Sequence, residues 1–305
     1  MEKNKEDKVV EEMNTNKKRK RKQVFPFGNY RNYYGYRIDE GLDEDPRLKV
    51  LKKEWFQGKR CLDIGCNSGL ITIQIAKKFH CRSILGIDID SSVLQWNYST
   101  ISISGYASDF GRIEDAHWHL RKFVKMEQDE RKCAKASKLD VAEKADDSEN
   151  GVIASSIKEG VNSREHAPPE ERDLSHIVSF RQENFVHSRH TPEKYYDTIT
   201  CLSVSKWIHL NWGDDGLINS FANIWKLLRP GGTFVLEPQP WKSYEKNRRV
   251  SETTAINYSN IMFHPDQFQE ILLDKIGFRT VEDISSGCLS GSKTGFDRPI
   301  FAFHK

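Results

Sequence analysis

The chain has 305 residues, enough for one large domain or two modest ones with a sizeable core. Charged residues make up 30% and hydrophobic residues 37%, so part of the chain must stay polar and unpacked, because that much charge does not share one core with everything else. The net charge of +3 is too small to argue for a nucleic-acid partner by itself, and any such case rests on where the charge sits.

Residues 1–23 are almost entirely charged and polar and end in the run Lys17, Lys18, Arg19, Lys20, Arg21, Lys22. This stretch reads as a disordered basic arm. Such a run is a nuclear address, an RNA-contacting tail or a solvated charge cluster; the nucleus is the preferred compartment and the cytoplasm the other. Residues 24–305 then form the folded domain. Its first segment, Phe25-Pro26-Phe27-Gly28-Asn29-Tyr30-Arg31-Asn32-Tyr33-Tyr34-Gly35-Tyr36-Arg37, interleaves aromatics with Arg and Gly. That mixture supplies stacking faces and phosphate donors around a nucleotide end, or else a packing arm over the core.

Residues 61–64 (CLDI) read as a short buried strand, 70–79 as an amphipathic helix and 83–89 (SILGIDI) as a second strand ending in acid, which together make a βαβ unit. A further helix is expected from an N-cap near Ser91 to about Thr100. From about 105 to 175 the sequence is rich in Lys, Glu, Asp and Ser and reads as a polar, mostly disordered insertion. Within it, residues 113–126 carry Trp118 and Phe123 and are the one stretch that could extend the helical layer. Strands follow at 177–181 (IVSFR) and 196–204 (YDTITCLSV), then a helix at 217–228, a strand at 233–237 (TFVLE), a helix at 264–276 and strands at 279–284 and 300–303. The alternation implies an α/β fold: a mostly parallel, doubly wound sheet of seven strands with an antiparallel edge pair at its end.

The six cysteines, Cys61, Cys66, Cys81, Cys133, Cys201 and Cys288, are scattered, with no C-x-x-C pair and no histidine at metal-ligand spacing. A reducing compartment and no metal are expected. No apolar run approaches the roughly 20 residues of a spanning helix, and the N-terminus is charged where a signal peptide would be apolar. A soluble intracellular monomer without a membrane partner is expected.

The sharpest motif is Asp63-Ile64-Gly65-Cys66-Asn67-Ser68-Gly69, where the first strand turns into the first helix. Gly65 lets the backbone approach a ligand, Asn67 tolerates positive φ, and Gly69 permits close packing of helix on strand. A glycine-rich turn alone also fits a dinucleotide. Against NAD, the spacing is not G-x-G-x-x-G, and Asp63 would repel a pyrophosphate while suiting the ammonium group of a methionine moiety. Asp88, ending the second strand, is placed to accept hydrogen bonds from two ribose hydroxyls, a feature both cofactor classes share. Leu228-Arg229-Pro230-Gly231-Gly232, between helix and fifth strand, resembles the turn found there in class I, Rossmann-like, S-adenosylmethionine-dependent methyltransferases.

In that fold the loop Ser203-Val204-Ser205-Lys206-Trp207-Ile208-His209-Leu210-Asn211-Trp212-Gly213 borders the transferred methyl. Lys206 and His209 are therefore candidates to hold an anionic acceptor, against the plainer reading of a satisfied loop histidine and packing tryptophans. Glu237-Pro238-Gln239-Pro240-Trp241 differs from the N-P-P-Y motif of base N-methyltransferases, and no such motif follows Val204. Base methylation is disfavoured.

The segments GNYRNYYGYR, DIGCNSG, CLSVSKWIHLNWGDDG, LRPGG, FVLEPQPW and GFDRPIFAFHK resemble the methylphosphate capping enzymes of small nuclear RNA, in the bicoid-interacting-protein family of RNA methyltransferases. The resemblance covers about residues 25–305 apart from the polar insertion. It implies S-adenosylmethionine as methyl donor and the 5′ γ-phosphate of a 7SK-type small nuclear RNA as acceptor. Onto matching positions it carries a cofactor shell of Tyr34, Arg47, Gly65, Cys66, Asn67, Asp88, Ile89, Asn184, Phe185 and Leu202, to which the turn adds Asp63 and Gly69. It also implies Lys206 and Phe296 at the RNA 5′ end. Phe185 stands where capping enzymes commonly carry Tyr.

A terminal phosphate has a second pKa of about 6, so it needs no strong general base and catalysis reduces to positioning. Lys206 is the chief candidate for that task, with His209 and Arg37 beside it. Tyr30, Tyr33 and Arg298 are further candidates for RNA contact. Methylation of an RNA 5′ monophosphate and a non-catalytic RNA-binding chaperone on the same fold are the alternatives, and RNA-associated protein partners remain open.

Overall fold

The computed structural model describes residues 25–28, 44–90, 112–142, 173–188, 195–285 and 297–305, with the side chains of 112 and 134–142 left aside. The basic arm, the helix expected near 91–100 and residues 105–111 and 143–172 of the expected insertion lie outside these.

Seven strands form one sheet: β1 (Arg60–Ile64), β2 (Ser83–Asp88), β3 (Val178–Gln182), β4 (Tyr196–Leu202), β5 (Leu228–Glu237), β6 (Thr280–Asp283) and β7 (Phe301–His304). Their spatial order is β3-β2-β1-β4-β5-β7-β6. The first five are parallel, while β7 runs antiparallel between β5 and β6, with Val235 opposite Ala302 and Val281 opposite Phe303. The central strands are covered on both faces, which is why CLDI and SILGID read as continuous apolar runs rather than as alternation. Because β1 pairs with β2 on one side and β4 on the other, the chain reverses direction of winding at β1, and a crevice opens at the carboxyl ends there.

One face of the sheet packs on helix α1 (Leu70–Phe79) and on α2 (Arg112–Ala142), with Ile73, Ile75, Phe56 and Phe79 buried and the two phenylalanine rings stacked at 5.2 Å. Helix α2 occupies much of the span expected to be a disordered insertion. Ile113, Ala116 and Leu120 fall on one stripe and bury against the sheet and α1, giving the segment a packed face that its average polarity conceals. A one-turn helix, α3 (Leu174–Ile177), leads into β3.

The other face is covered by α4 (Ser205–Leu227) and by helical turns at Pro265–Gln267, Phe268–Glu270 and Ile271–Ile276. Phe221, Phe234, Phe268, Phe278 and Phe303 fill the space between. Three local expectations need correction. The stretch after β4 is not a loop: α4 begins at Ser205 and is broken only at Gly213, whose φ of 65° and ψ of −167° suit glycine. The turn at 228–232 is a bulge within β5, its Arg229, Pro230 and Gly231 exposed. Two helices were not anticipated, α5 (Trp241–Asn247) and α6 (Glu252–Asn260), the second closed by a capping box between Ser251 and Thr254.

Gly69 shows how tightly the first turn is built. With φ of 71°, it would place a Cβ 2.5 Å from the Phe180 ring and 2.7 Å from Ala116. Gly69→Ala is expected to destabilise the fold by about 2–4 kcal/mol through combined backbone strain and overpacking. Chemical denaturation checks this, and an unchanged midpoint would contradict the packing described.

Candidate active site

A cavity of about 510 Å³ opens where β1, β2 and β4 end, within the ~300–1,000 Å³ range of small-molecule sites. Its floor is the first turn. Gly65 and Cys66 both donate their backbone N–H to the carbonyl of Ile87, at 2.8 and 3.0 Å, which ties the turn to β2. Asn67, at φ 49°, donates its N–H to Asp88 Oδ2 at 2.9 Å, and Asp90 N–H donates to Asp88 Oδ1 at 3.0 Å. The Asp88 carboxylate is thus fixed at the strand end with further lone pairs directed by two backbone amides. Ile89, Asn184 and Phe185 line the cavity beside it, an apolar and amide wall suited to a nucleobase.

Deeper in, buried carboxylates gather around one guanidinium. Arg47 donates to Asp45 through Nε (2.9 Å) and Nη2 (2.7 Å), and through Nη1 to Glu237 Oε2 (3.2 Å). Asp63 accepts from the hydroxyls of Thr72 (2.5 Å) and Thr200 (2.7 Å). Burial pushes the Asp63 carboxyl pKa up, and the two threonines and Arg47 hold it back. Asp63 therefore lines the cavity with both oxygens already engaged by threonine hydroxyls.

Two cations also line the cavity. Lys206 is 4% exposed, donates through Nζ to Ser243 Oγ at 3.0 Å and lies 4.1 Å above the Trp207 ring. Burial, and then the charge of Arg298, lower its pKa to about 7. Arg298 donates to Ser203 Oγ at 2.9 Å. Gln239, Ser243 and Asn247 line the cavity with them. The N-terminal strap reaches the same cavity: Phe27 stacks on Trp212 at 5.8 Å, and Pro26 O accepts from Asn211 Nδ2 at 2.9 Å.

Of the residues singled out in the sequence, Arg47, Asp63, Gly65, Asn67, Asp88, Ile89, Asn184, Phe185, Leu202, Lys206 and Arg298 all line this one cavity. Cys66 does not: its side chain is buried in the core, where burial raises its thiol pKa. Gly69 is absent from that lining and instead packs closely against Phe180 of β3 and Ala116 of α2. Tyr30, Tyr33, Tyr34, Arg37 and Phe296 lie outside the described residues. Ser203, Gln239, Ser243 and Asn247 also line the cavity, and Glu237 lies behind it bonded to Ser203, although no local motif marks any of the five as a site residue.

His209 is placed outside the cavity. It is fully buried, with Nε2 2.7 Å from Asp214 Oδ1, Nδ1 3.3 Å from the Tyr244 hydroxyl, and its ring stacked on Phe263 at 4.9 Å. Burial lowers its pKa below 6.5 although Asp214 opposes this. Because the folded state resists the proton that the unfolded chain accepts, its contribution to stability is present above pH 6.5 and is lost as pH falls through the folded-state pKa. His209→Gln is expected to flatten the dependence of melting temperature on pH below 6.5 while leaving turnover at neutral pH within a few-fold. A large loss of turnover with an unaltered melting profile would return His209 to the chemistry.

The family profile described as Bicoid-interacting protein 3 (Bin3) matches residues 196–305. A probable RNA methyltransferase of Arabidopsis thaliana is 60% identical over 288 residues, covering 94% of this chain and 83% of that protein. The chain belongs to the Bin3 family. Another relative, the U6 snRNA methylphosphate capping enzyme Amus of Drosophila melanogaster, is 33% identical, covering 92% of this chain and 75% of that protein. The human 7SK snRNA methylphosphate capping enzyme is 38% identical over 94% of this chain, which spans only 40% of that protein's length. The Bin3 profile contains α4, β5 and the C-terminal strands, and so takes in Lys206, Glu237, Gln239, Ser243 and Arg298.

Proposed function

We propose that this protein is an S-adenosylmethionine-dependent RNA methyltransferase that methylates the 5′ γ-phosphate of a small nuclear RNA. The observation that carries the reading is the division of charge within one cavity. Asp63 and Asp88 line it near the first turn, and Lys206 and Arg298 line it as well, close enough for the Arg298 charge to lower the Lys206 pKa. A cationic donor and an anionic acceptor fit that division; two neutral reactants would have no use for it.

S-adenosylmethionine supplies, when bound, a methyl group on a positively charged sulfur. Asp88 would hold the ribose hydroxyls, Phe185, Ile89 and Asn184 the base, and Arg47 with its carboxylates the methionine end. Lys206 and Arg298 would hold the phosphate with one oxygen directed at the methyl. A phosphate next to Lys206 raises the lysine pKa again, so the ammonium is retained when the acceptor is in place. Both reactants lose charge in the transfer, so the site must orient the phosphate without gripping it too hard in the ground state. A lysine whose charge is only marginal in the empty site meets that demand.

The basic run at 17–22 and the small nuclear RNA named for the relatives support a nuclear location. Matched RNAs ending in a triphosphate or a monophosphate test the acceptor. A kcat/KM at least tenfold higher for the triphosphate end is expected, and preference for the monophosphate would transfer the reading to that alternative.

A further inference from the structure

Ser203 joins β4 to α4 with a φ of 66°, the left-handed region that side-chain-bearing residues enter at a cost of roughly 1–3 kcal/mol. Glycine would sit there without that cost. The serine is held from several directions. Its N–H donates to Glu237 O at 3.0 Å, its carbonyl accepts from the Gln239 amide, and its hydroxyl lies 2.5 Å from Glu237 Oε2. A hydroxyl has one hydrogen. With that hydrogen given to the carboxylate, the oxygen is left as an acceptor, and Arg298 Nη1 donates to it at 2.9 Å. Glu237 is itself fully buried and anchored on Arg47, so Arg298 is tied through Ser203 to the buried Arg47–Glu237 pair.

We propose that Ser203 is a positioning residue for the acceptor: oriented by Glu237, it fixes the Arg298 guanidinium on the wall shared with Lys206, so that the two cations take one polyphosphate end together. The proposal rests on the function given above for what it positions. The Arg298 charge already lowers the Lys206 pKa, and a polyphosphate held by both side chains would raise it again.

The test is a double-mutant cycle on the full chain with Ser203→Gly and Arg298→Ala. Ser203→Gly removes the hydroxyl and also relieves the backbone, so any loss cannot be blamed on strain. Inorganic tripolyphosphate binding by calorimetry, the KM and kcat for a triphosphate-ended RNA, and S-adenosylhomocysteine binding are read for each variant.

Ser203→Gly is expected to weaken tripolyphosphate binding about tenfold, the scale of one charged hydrogen bond, and to raise the RNA KM more than it lowers kcat. S-adenosylhomocysteine affinity should stay within about threefold, and Ser203→Gly should add nothing in the Arg298→Ala background. Equal losses in both backgrounds, unchanged tripolyphosphate binding, or an equal loss of S-adenosylhomocysteine would overturn the proposal. Ser203→Ala, run alongside, gives the same reading if the glycine variant folds poorly. Wild-type protein that binds tripolyphosphate but methylates no RNA would sink the proposed function and leave the clamp standing.

Discussion

Lys206→Ala lowers turnover on a 5′-triphosphate RNA by about 10²–10³-fold, the expected effect of deleting one preorganised donor in a water-poor site, while S-adenosylhomocysteine affinity changes by less than about threefold. The split follows from position. Lys206 Nζ sits among Ser243, Trp207 and Arg298, whereas Asp88 ends β2 and is held by the amides of Asn67 and Asp90. Its depressed pKa of about 7 adds a signature in pH. In the free enzyme the ammonium is present below that value and lost above it, so kcat/KM falls as pH rises through about 7. Lys206→Arg keeps its charge throughout this range and should lose that fall even if its absolute rate is lower. Rates and affinities that decline in parallel for Lys206→Ala, or a wild-type kcat/KM flat from pH 6 to 9, would remove Lys206 from the acceptor site.

Asp88→Ala weakens S-adenosylhomocysteine binding by about 10²–10⁴-fold. Two hydrogen bonds from ribose hydroxyls to a carboxylate are worth about 3–6 kcal/mol together, and the same carboxylate fixes the turn through Asn67 and Asp90. Asp88→Asn keeps an acceptor and a similar shape and falls between the two. Tripolyphosphate binding, which rests on Lys206 and Arg298, stays within a few-fold. Calorimetric titration decides, and an Asp88→Ala protein that binds the nucleoside as tightly as wild type would show that the ribose does not lie at the end of β2.

Much of the architecture was legible because parallel strands buried on both faces leave unbroken apolar runs, and because the turn after β1 needs the residue types that stand there, Gly65 and Asn67 at positive φ. Helix α2 was read mainly as a polar insertion since its buried stripe is short, Ile113, Ala116 and Leu120, against a charged background. Helices α5 and α6 bury little beyond Tyr244 and Thr254, so periodicity had nothing to detect.

In the site, residues near the turn were legible and residues joined across the chain were not. Arg47 meets Glu237 across 190 positions, and no local pattern announces such a pairing. Ser203 takes its conformation from Glu237 and Gln239, which belong to β5 and the segment after it. A loop would bring His209 to the acceptor with Lys206, whereas in α4 its ring is set against Asp214, Tyr244 and Phe263.

The central claim is that one cavity brings a sulfonium methyl to the terminal phosphate of an RNA. Its most direct test is to incubate the wild-type protein with methyl-tritiated S-adenosylmethionine and a 5′-triphosphate small nuclear RNA, then to locate the label after enzymatic removal of the γ-phosphate. The account predicts label on the RNA that leaves with that phosphate. Label that stays on a base or ribose, or an RNA that takes up none, would contradict it.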